Sequence, residues 1–477
     1  MNEQSAGNVQ VVEDIYAKSS FYRWLALIAA LLAWTFDGVE QGVYGIMTRP
    51  ALLELVPGIS EYVDQQVELN QQIEQRMAEQ LSVEELKVKA QDLKEKIDGP
   101  IGKIFSWALA SWLWGAACGG VIFGRMGDRY GRVRSLIFAV IIYSGFTGLS
   151  ALTTHWSQFL ACRFLGAIGL GGAWPLSVAL MVETWPDKYR AVLAGLMGMG
   201  ANIGFFIAAT YSEIMGGMGF DWRWIIGMGF FIGISSLLLI VFVPEPTKWR
   251  LARAKKQHSS LGDLFAPKYR RATIVGSLLS TIALLGTWGA FLWLPTYVDQ
   301  IAQGTEFQDT ARSTVARWQA YGQMFGGFMG GVLAGVMGNK KSWAFLCVTA
   351  WASVMALFWF NDVFGYQVLW MGALAGLFVT AFFGWLPKYL PELYPTRIRA
   401  TGQGFSFNIG RILAGFGVLG TGTLVALFGG NYQRSTMVIC TIYLIGLIVI
   451  LFAPDTGGHM VSDEEDAASM NAAPRVE

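Results

Sequence analysis

A nine-residue motif occurs twice in the chain, first as Glu183-Thr-Trp-Pro-Asp-Lys-Tyr-Arg-Ala191 and again, 209 residues later, as Glu392-Leu-Tyr-Pro-Thr-Arg-Ile-Arg-Ala400. Both copies carry Glu, Pro, Arg and Ala at matching places, and Gly195 and Gly404 continue the same alignment. Several matched positions at one constant offset indicate a duplication of a large unit. The motif therefore predicts two halves of similar size built on one plan.

The composition is that of a membrane protein. Of 477 residues, 53% are hydrophobic and only 14% are charged, against about 25% charged residues in a soluble domain. Lys and Arg total 35 and Asp and Glu total 34, a balance that argues against a nucleic-acid-binding protein. The four cysteines lie in apolar segments, which argues against a secreted disulfide framework, and no His, Cys and acidic residues have the spacing of a metal site. We expect neither a metal nor a cofactor.

Twelve apolar stretches are long enough to cross a bilayer, for which a helix needs about 20 residues. They are centred on 24–48, 103–124, 134–153, 157–182, 191–214, 224–243, 272–297, 315–337, 342–361, 366–388, 400–428 and 435–453. The duplicated motif follows span 4 and span 10, so six helices in each half occupy matching places. The predicted fold is all-α and integral to the membrane, with twelve transmembrane helices in two pseudo-symmetric six-helix halves.

The predicted segments follow from these spans. They are an N-terminal tail at 1–22, an N-terminal half at 23–245, a linker at 246–271, a C-terminal half at 272–455 and a disordered tail at 456–477. Lys and Arg concentrate in the loops after spans 2, 6, 8 and 10, which share one side, and such loops are typically cytoplasmic. We expect a multi-pass protein of the inner (plasma) membrane with both termini and the linker in the cytoplasm.

The segment 52–100, after span 1, is unlike the other loops. It carries eleven acidic and five basic residues, and its apolar residues recur at helical spacing at Val83, Leu86, Ala90, Leu93 and Ile97. This stripe predicts an amphipathic helix, and we expect a helical hairpin standing outside the membrane on the extracytoplasmic side. A solvated cap is the favoured interpretation and a lid over the substrate path is the second. A partner-binding coiled coil is the weakest, because the stripe covers only about two heptads.

Loop and helix motifs resemble those of a known family. Gly124-Arg-Met-Gly-Asp-Arg-Tyr-Gly-Arg132 resembles the signature between helices 2 and 3 of the major facilitator superfamily, and Gly335-Val-Met-Gly-Asn-Lys340 is a decayed copy in the second half. Arg163-Phe-Leu-Gly-Ala-Ile-Gly169 resembles the arginine motif of the family's fourth helix. Pro244-Glu-Pro-Thr-Lys-Trp249 is similar to the sequence that closes helix 6 in sugar-porter-like members. The resemblance implies a transporter that works by alternating access.

A narrower resemblance concerns the membrane charges. Asp37-Gly-Val-Glu40 in span 1 and Asn408-Ile-Gly-Arg411 in span 11 are similar to motifs of proton symporters for aromatic acids, sialic acid and related carboxylates. Glu40 stands where that group usually has aspartate, so the ligand does not carry over. For Arg163, the family resemblance implies a proton-linked or structural role in preference to contact with the substrate.

The acidic pair of span 1 is the candidate proton site. Asp37 and Glu40 are three residues apart and share a helix face, and Tyr44 follows one turn later. Two carboxylates in a medium of low dielectric constant do not readily ionise together, which suits proton coupling through Asp37, Glu40 and Arg163. The alternative is a structural pair satisfied by Arg163 or by helix ends.

Arg411 is the candidate anion-binding residue. Its planar guanidinium suits a carboxylate in bidentate geometry, and Asn408 lies one turn before it. The alternative is an ion pair between Arg411 and Asp37 or Glu40. Other candidates for contact with the substrate are of two types, the aromatic residues Trp114, Trp288 and Phe382 and the polar residues Tyr44, Gln319 and Gln323. Most aromatic residues in such a chain pack or mark the membrane interface, and a few can wall a pocket.

The charges of the repeated loops are candidates for a cytoplasmic gate. They are Asp128, Arg132, Glu183, Arg190, Glu245, Glu392 and Arg399. Ion pairs that form when the halves close on one side and break when they open bias a two-state equilibrium. Exposed pairs contribute only about 0–1 kcal/mol each, so a gate of this kind requires a network.

The sequence favours a proton-coupled symporter that takes up an organic acid anion. Its partners are expected to be the small anion, protons and the lipid bilayer, with no nucleic acid, and we expect a monomer. A facilitator or symporter of a neutral polar solute such as a sugar is the alternative, followed by a transport-inactive receptor that uses the hairpin. An enzyme is the weakest alternative, because no nucleophile and base are brought together by the pattern.

Overall fold

The computed structural model describes residues 19–79, 82–254, 260–303, 305, 307, 310–429, 431–461, 464 and 466. All regular elements of these residues are helices. Most of the predicted tail at 1–22 lies outside them, as does most of the predicted tail at 456–477.

The N-terminal half contains the first six spans and the hairpin. Its helices are α1 Ser20–Leu55, α2 Ile59–Ala78, α3 Glu84–Tyr130, α4 Arg132–Ser150, α5 Trp156–Thr184, α6 Arg190–Gly217, α7 Trp222–Ser235 and α8 Leu237–Ile240. Helices α7 and α8 together form span 6. The linker contributes α9 Thr247–Ala254 and a 3₁₀ turn at Leu261–Phe265.

The C-terminal half repeats this plan, and its described residues include no hairpin like that of 52–100. Its helices are α10 Pro267–Leu284, α11 Leu294–Ile301, α12 Ala311–Met337, α13 Asn339–Trp359, α14 Tyr366–Glu392, α15 Arg399–Leu427, α16 Tyr432–Cys440 and α17 Ile442–Val449. Span 7 is interrupted, because a π-helical turn at Leu285–Ala290 and a 3₁₀ turn at Phe291–Trp293 separate α10 from α11.

Ten helical segments of the described chain are long and apolar enough to cross a membrane. The helices α12 and α15 complete the predicted twelve. Helix α12 carries several Gly, Gln and Arg residues, and α15 begins with a polar turn that is followed by an apolar stretch. The twelve-helix arrangement in two halves is as the sequence predicts.

The segment 52–100 forms the predicted helical hairpin. Helix α2 packs against the first turns of α3, which continues as one helix of 47 residues into the membrane. The predicted stripe from Val83 to Ile97 is half-buried or buried along the hairpin. At its base Ile97 packs with Leu52 and Val56 of the N-terminal half, and Arg49 forms an ion pair of 2.6 Å with Asp98.

Glycines set the closest helix contacts. A Cβ atom built on Gly330 of α12 would lie 1.7 Å from the carbonyl oxygen of Ala381 in α14, so only glycine permits this approach. Between α3 and α4, Gly131 has φ of +122°, and a Cβ there would lie 2.2 Å from Oε1 of Glu245. The turn therefore requires glycine both for its backbone and for the approaching carboxylate.

The two halves meet through α3 against α15 and α6 against α12. We call the end of the bundle that carries residues 125–134, 183–191, 245–249 and 392–401 the motif end, and the opposite end, with the hairpin, the insert end. A Cβ on Gly124 would meet the carbonyl oxygen of Ala400 at 2.6 Å, and one on Gly198 would meet that of Gly327 at 2.5 Å. The halves are therefore in close contact at the motif end.

Candidate functional site

The predicted acidic pair lies inside the N-terminal half, where Asp37 is within electrostatic reach of Arg411 in the C-terminal half. Asp37 is fully buried and, within the described chain, neither of its carboxylate oxygens accepts a hydrogen bond of normal geometry. Its neighbour Glu40 is better satisfied, because Oε1 accepts hydrogen bonds from Thr147 at 3.0 Å and from Arg163 at 3.3 Å. The two carboxyl groups of one helix face thus have different surroundings.

Arg163 of α5 joins the acidic pair to Tyr44. Its guanidinium carbon lies 3.7 Å from the centre of the Tyr44 ring, and its Nη1 donates to Glu40. The Tyr44 hydroxyl forms a hydrogen bond of 2.5 Å with Ser150. Tyr44, a predicted substrate contact, is therefore packed beneath Arg163 within the N-terminal half, because the face it shares with Glu40 is turned toward α4 and α5.

Arg411 of α15 approaches the same region from the other half. It is buried, its Nη1 donates to Oδ1 of Asn408 at 2.9 Å, and its charge acts on Asp37. Asn408 donates in turn to the carbonyl oxygens of Gly404 at 2.8 Å and Gly171 at 3.4 Å. The amide of Asn408 therefore orients the guanidinium and contacts the N-terminal half.

The predicted aromatic contacts divide between two places. Trp114 lies between the halves, where its indole N–H donates to the carbonyl of Ile412 at 3.3 Å. Trp288, in the π-helical turn, lies 5.4 Å from Trp112 between ring centres. Phe382 is instead fully buried in the C-terminal half and stacks on Tyr443. The hydrophobic pattern of span 10 does not distinguish its inner face from its interface face, since both are apolar.

The two predicted glutamines lie on the side of α12 that faces α14. Gln319 is buried and donates to the carbonyl of Phe291 at 3.5 Å, and Gln323 is half-buried beside Gly376. Among the described residues, no hydrogen bond or ion pair connects either side chain to Asp37 or Arg411. The structure does not bring them together with the charged cluster.

Trp112 and Thr147 belong to the cluster although sequence reasoning did not select them. Thr147 donates to Glu40, and the Trp112 ring lies within 6 Å of both arginines. Their types and positions carry no distinguishing signal, because threonines and tryptophans are frequent in the apolar spans. Only the packing of α3 and α4 against α1 places them here.

All seven predicted gate residues lie together at the motif end. Within the N-terminal half, Arg132 binds Glu183 through two hydrogen bonds, of 3.0 Å from Nε and 2.8 Å from Nη2, and forms an ion pair of 2.8 Å with Asp128. Arg132 is fully buried, so this is not the set of exposed pairs expected of a loop. Breaking a buried pair leaves an uncompensated charge and costs far more than breaking an exposed one.

Several contacts at this end cross between the halves. The Asp128 carboxylate accepts hydrogen bonds from the backbone N–H groups of Ala400 at 3.1 Å and Thr401 at 2.7 Å, so it caps the first turn of α15 in the other half. Others join Arg132 to the carbonyl of Thr396 (2.7 Å), Arg399 to Glu183 (3.1 Å) and Arg190 to Glu392 (3.4 Å).

Glu245 has a different partner from the other gate candidates. Its carboxylate accepts hydrogen bonds from the backbone N–H groups of Val133 at 3.2 Å and Arg134 at 3.0 Å, at the beginning of α4. Burial raises the pKa of Glu245, and these bonds and the charge of Arg132 partly offset that rise. Trp249 of α9 donates to the carbonyl of Asp128 at 2.8 Å, so the linker is fastened to the same turn.

The end of the chain differs from the predicted solvated tail at one described residue. Asp466 is buried, and its carboxylate accepts a hydrogen bond of 2.6 Å from Nε of Arg397 and another from the hydroxyl of Tyr269. Arg397 also binds Asp263 of the linker at 2.5 Å. The physical reason is that Arg397 is itself buried and requires counter-charges, which the linker and the tail supply.

Comparisons with known proteins identify the family. A profile described as "Major Facilitator Superfamily" matches residues 99–316, and one described as "Sugar (and other) transporter" matches residues 273–475. A solved structure of the proton:xylose symporter XylE superposes with a TM-score of 0.69 at 16% identity, covering 94% of this chain and 99% of that chain. At this identity the superposition shows the fold alone.

Three curated relatives are similar along most of their length. The "Putative niacin/nicotinamide transporter NiaP" of Bacillus subtilis is 30% identical over 70% of this chain and 81% of the relative. The "3-(3-hydroxy-phenyl)propionate transporter" of Escherichia coli is 28% identical over 72% of this chain and 83% of the relative. The "Cis,cis-muconate transport protein" of Acinetobacter baylyi is 27% identical over 74% of this chain and 84% of the relative. The protein is therefore a member of the major facilitator superfamily, a multi-pass membrane transporter and not an enzyme.

Proposed function

We propose that the protein is a secondary active transporter that couples the entry of protons to the uptake of an organic acid anion. The observation that carries this proposal is the burial of Asp37 and Arg411, from different halves, within electrostatic reach of each other. Buried opposite charges are costly unless they act on each other or on a ligand. The relatives support the choice of substrate class, because their names include muconate and hydroxyphenylpropionate.

The substrate anion binds the Arg411 guanidinium, whose orientation is set by Asn408. Arg411 then no longer compensates the charge of Asp37, and Asp37 takes up a proton. Glu40 and Arg163, joined by an ion pair of 3.3 Å, form the second part of the proton site, since both charges act on Asp37. Anion and proton are thereby bound together, which is the requirement for symport.

The halves 23–245 and 272–455 rock about this site, joined by the linker 246–271. Trp114 and Trp288 lie at the interface of the halves and wall the substrate path. The seven motif-end residues form the gate, which is closed in this conformation. We infer that the motif end and both termini face the cytoplasm, because the basic loops lie there, so this conformation is closed to the cytoplasm. The protein acts as a monomer in the inner membrane.

Uptake into proteoliposomes tests the proposal. The purified protein is reconstituted and supplied with radiolabelled cis,cis-muconate, niacin and 3-(3-hydroxyphenyl)propionate, with xylose as the neutral control. We expect at least one carboxylate to accumulate when the vesicle interior is alkaline, and a protonophore to abolish the accumulation. Asp37→Asn is expected to abolish accumulation against a gradient while exchange of the same carboxylate persists.

Arg411→Lys tests capture separately. Because lysine keeps the charge but loses the bidentate geometry, we expect KM for the carboxylate to rise at least tenfold. Unchanged KM in Arg411→Lys contradicts capture, and accumulation by Asp37→Asn contradicts its role in coupling. Accumulation of xylose in place of every carboxylate favours the neutral-solute alternative, and an absence of any flux favours the receptor alternative.

A further inference from the structure

The indole of Trp112 lies between the arginines of the two halves. Its ring centre is 5.5 Å from the guanidinium carbon of Arg163, in the same half, and 5.6 Å from that of Arg411, in the other half. Trp112 is 1% exposed, and Trp288 of the C-terminal half packs against it at 5.4 Å. One aromatic ring of α3 therefore contacts both cations of the charged cluster.

This position has an electrostatic consequence. An aromatic ring attracts a cation, and the attraction is greatest where water is excluded. Arg163 has a carboxylate partner at hydrogen-bond distance, Glu40, whereas the side-chain hydrogen bond of Arg411 goes to the neutral amide of Asn408. The ring of Trp112, with that of Phe407 at 5.2 Å, therefore stabilises a guanidinium that acts on Asp37 without bonding to it.

We propose that Trp112 is a positioning residue that keeps Arg411 available to the substrate anion and thereby sets the pH range in which transport is coupled. This inference rests on the proposed function of the site. With the ring in place, Arg411 is stabilised without a direct bond to Asp37. Without the ring, Arg411 is drawn toward Asp37, the anion must compete with that carboxylate, and Asp37 takes up its proton only at lower external pH.

The other charged and titratable groups around Asp37 come from four helices. Asp37 is faced by Glu40 on its own helix, Tyr143 of α4, Arg163 of α5 and Arg411 of α15. None of these side chains is changed by a substitution at position 112. A shift of the pH profile in such a variant therefore reports the loss of the ring.

The test compares Trp112→Phe and Trp112→Leu with the same two substitutions at Trp343. Trp343 is also fully buried, but it packs against Phe382 and Trp385 in the C-terminal half, away from the cluster. The first readout is the pH profile of uptake and KM for the carboxylate that wild-type protein accumulates best. The second readout needs no substrate. It is the intensity of the infrared carbonyl band of protonated Asp37, measured as a function of pH in detergent and assigned by its loss in Asp37→Asn.

For Trp112→Leu we expect both profiles to move by about one pH unit toward acid, with a raised KM at neutral pH. Trp112→Phe keeps a ring face, so its two profiles are expected to move by less than those of Trp112→Leu. Neither substitution at Trp343 is expected to move the profiles. Equal shifts at positions 112 and 343, or equal effects of Phe and Leu at position 112, overturn the inference.

The two proposals fail in different ways. If wild-type protein moves no carboxylate but the infrared profile shifts in the Trp112 variants alone, the positioning role stands and the proposed substrate class is wrong. If carboxylates accumulate but the infrared profiles of the Trp112 variants are the same as that of wild-type protein, the positioning role is wrong. If Trp112→Leu does not fold, Trp112→Phe against Trp343→Phe decides: a shift at 112 alone supports the role, and identical profiles contradict it.

Discussion

The carboxylate of Glu183 accepts a hydrogen bond of 3.1 Å from Arg399, which is the arginine of the other copy of the repeated motif. The reciprocal pair also forms, since Arg190 of the first copy contacts Glu392 of the second at 3.4 Å. The side chains of all four residues are almost completely buried. The duplicated motif is therefore one contact made twice across the interface, as a pseudo-twofold relation between the halves requires.

Neutralising Glu183 is expected to open the motif end. Glu183→Gln removes the charge that both Arg132 and Arg399 bind, and an arginine left unpaired in a buried site costs about 3–5 kcal/mol. Arg399 belongs to the other half, so separating the halves releases it from the site and we expect the closed conformation to bear this cost. Spin labels at the exposed positions Arg129 and Lys341, one in each half, are expected to show a longer distance distribution by pulsed EPR.

The matched control is Glu213→Gln, an exposed acidic residue near the end of α6 at the insert end. It is expected to leave that distribution unchanged. A closed distribution in Glu183→Gln identical to wild type contradicts the gating role. In transport, Glu183→Gln should lower turnover much more than it changes the affinity for the substrate.

Gly198→Ala is expected to prevent closure without unfolding either half. Its Cβ would lie 2.5 Å from the Cα of Gly384 and 2.5 Å from the carbonyl oxygen of Gly327, both in the other half. The clash is relieved when the halves separate, so the same spin labels should report opening. In Gly330→Ala the new Cβ atom clashes within the C-terminal half. This variant is therefore expected to have a free energy of unfolding lower by about 1–3 kcal/mol.

A third glycine serves as the reference for these two variants. A Cβ atom on Gly216, in the last turn of α6, would meet no other atom within 4 Å, so this position tolerates alanine. Gly216→Ala is expected to behave as wild type in both measurements. Should Gly198→Ala keep the closed distance distribution, the close approach of α6 and α12 is not what limits closure.

Glu40→Gln is expected to destabilise the N-terminal half. It leaves Arg163 buried without its ion pair, at a cost of about 3–5 kcal/mol, because the remaining contacts are with the Tyr44 and Trp112 rings. The double variant Glu40→Gln with Arg163→Gln removes both charges and should recover part of the loss. Thermal unfolding followed by intrinsic fluorescence measures both, and an equal or lower stability of the double variant contradicts the pairing.

Asp466 is expected to stabilise the docked end of the chain above about pH 4. Burial alone raises the pKa of Asp466, but the hydrogen bonds from Arg397 and Tyr269 and the charges of Arg397 and Lys268 outweigh it and hold the pKa below its usual range. A lowered pKa in the folded state means that the stabilisation is complete above the unfolded value, about 3.9, and is lost as pH falls through the lower folded value.

The variant Asp466→Asn provides the measurement. Loss of a charged hydrogen bond costs about 2 kcal/mol, so the melting temperature should fall at pH 5 to 8 and approach that of wild type in acid. The exposed Glu464, replaced by Gln, is the control and should have no effect. A difference between Asp466→Asn and wild type that grows in acid is the opposite of this expectation.

The sequence by itself determined the number of halves, the number of spans and the charged residues that lie together at the motif end. Span length follows from the thickness of the bilayer, and the scarcity of charge inside the spans makes Asp37, Glu40, Arg163 and Arg411 conspicuous without any structure. The repeat of Glu183 and Arg190 at Glu392 and Arg399 identified four charges of the motif end, because a duplicated charge pair can be read directly from the sequence.

Only the tertiary structure decided which side chains those charges meet. Both faces of most spans are apolar, so hydrophobic periodicity does not distinguish a residue that contacts the substrate, as proposed for Phe382, from one in the core, where Phe382 lies. Trp112, too, is one tryptophan among 19 in the sequence. Its place between Arg163 and Arg411 results from the crossing of α3 with α5 and α15, a relation between helices that the order of residues along any one of them does not contain.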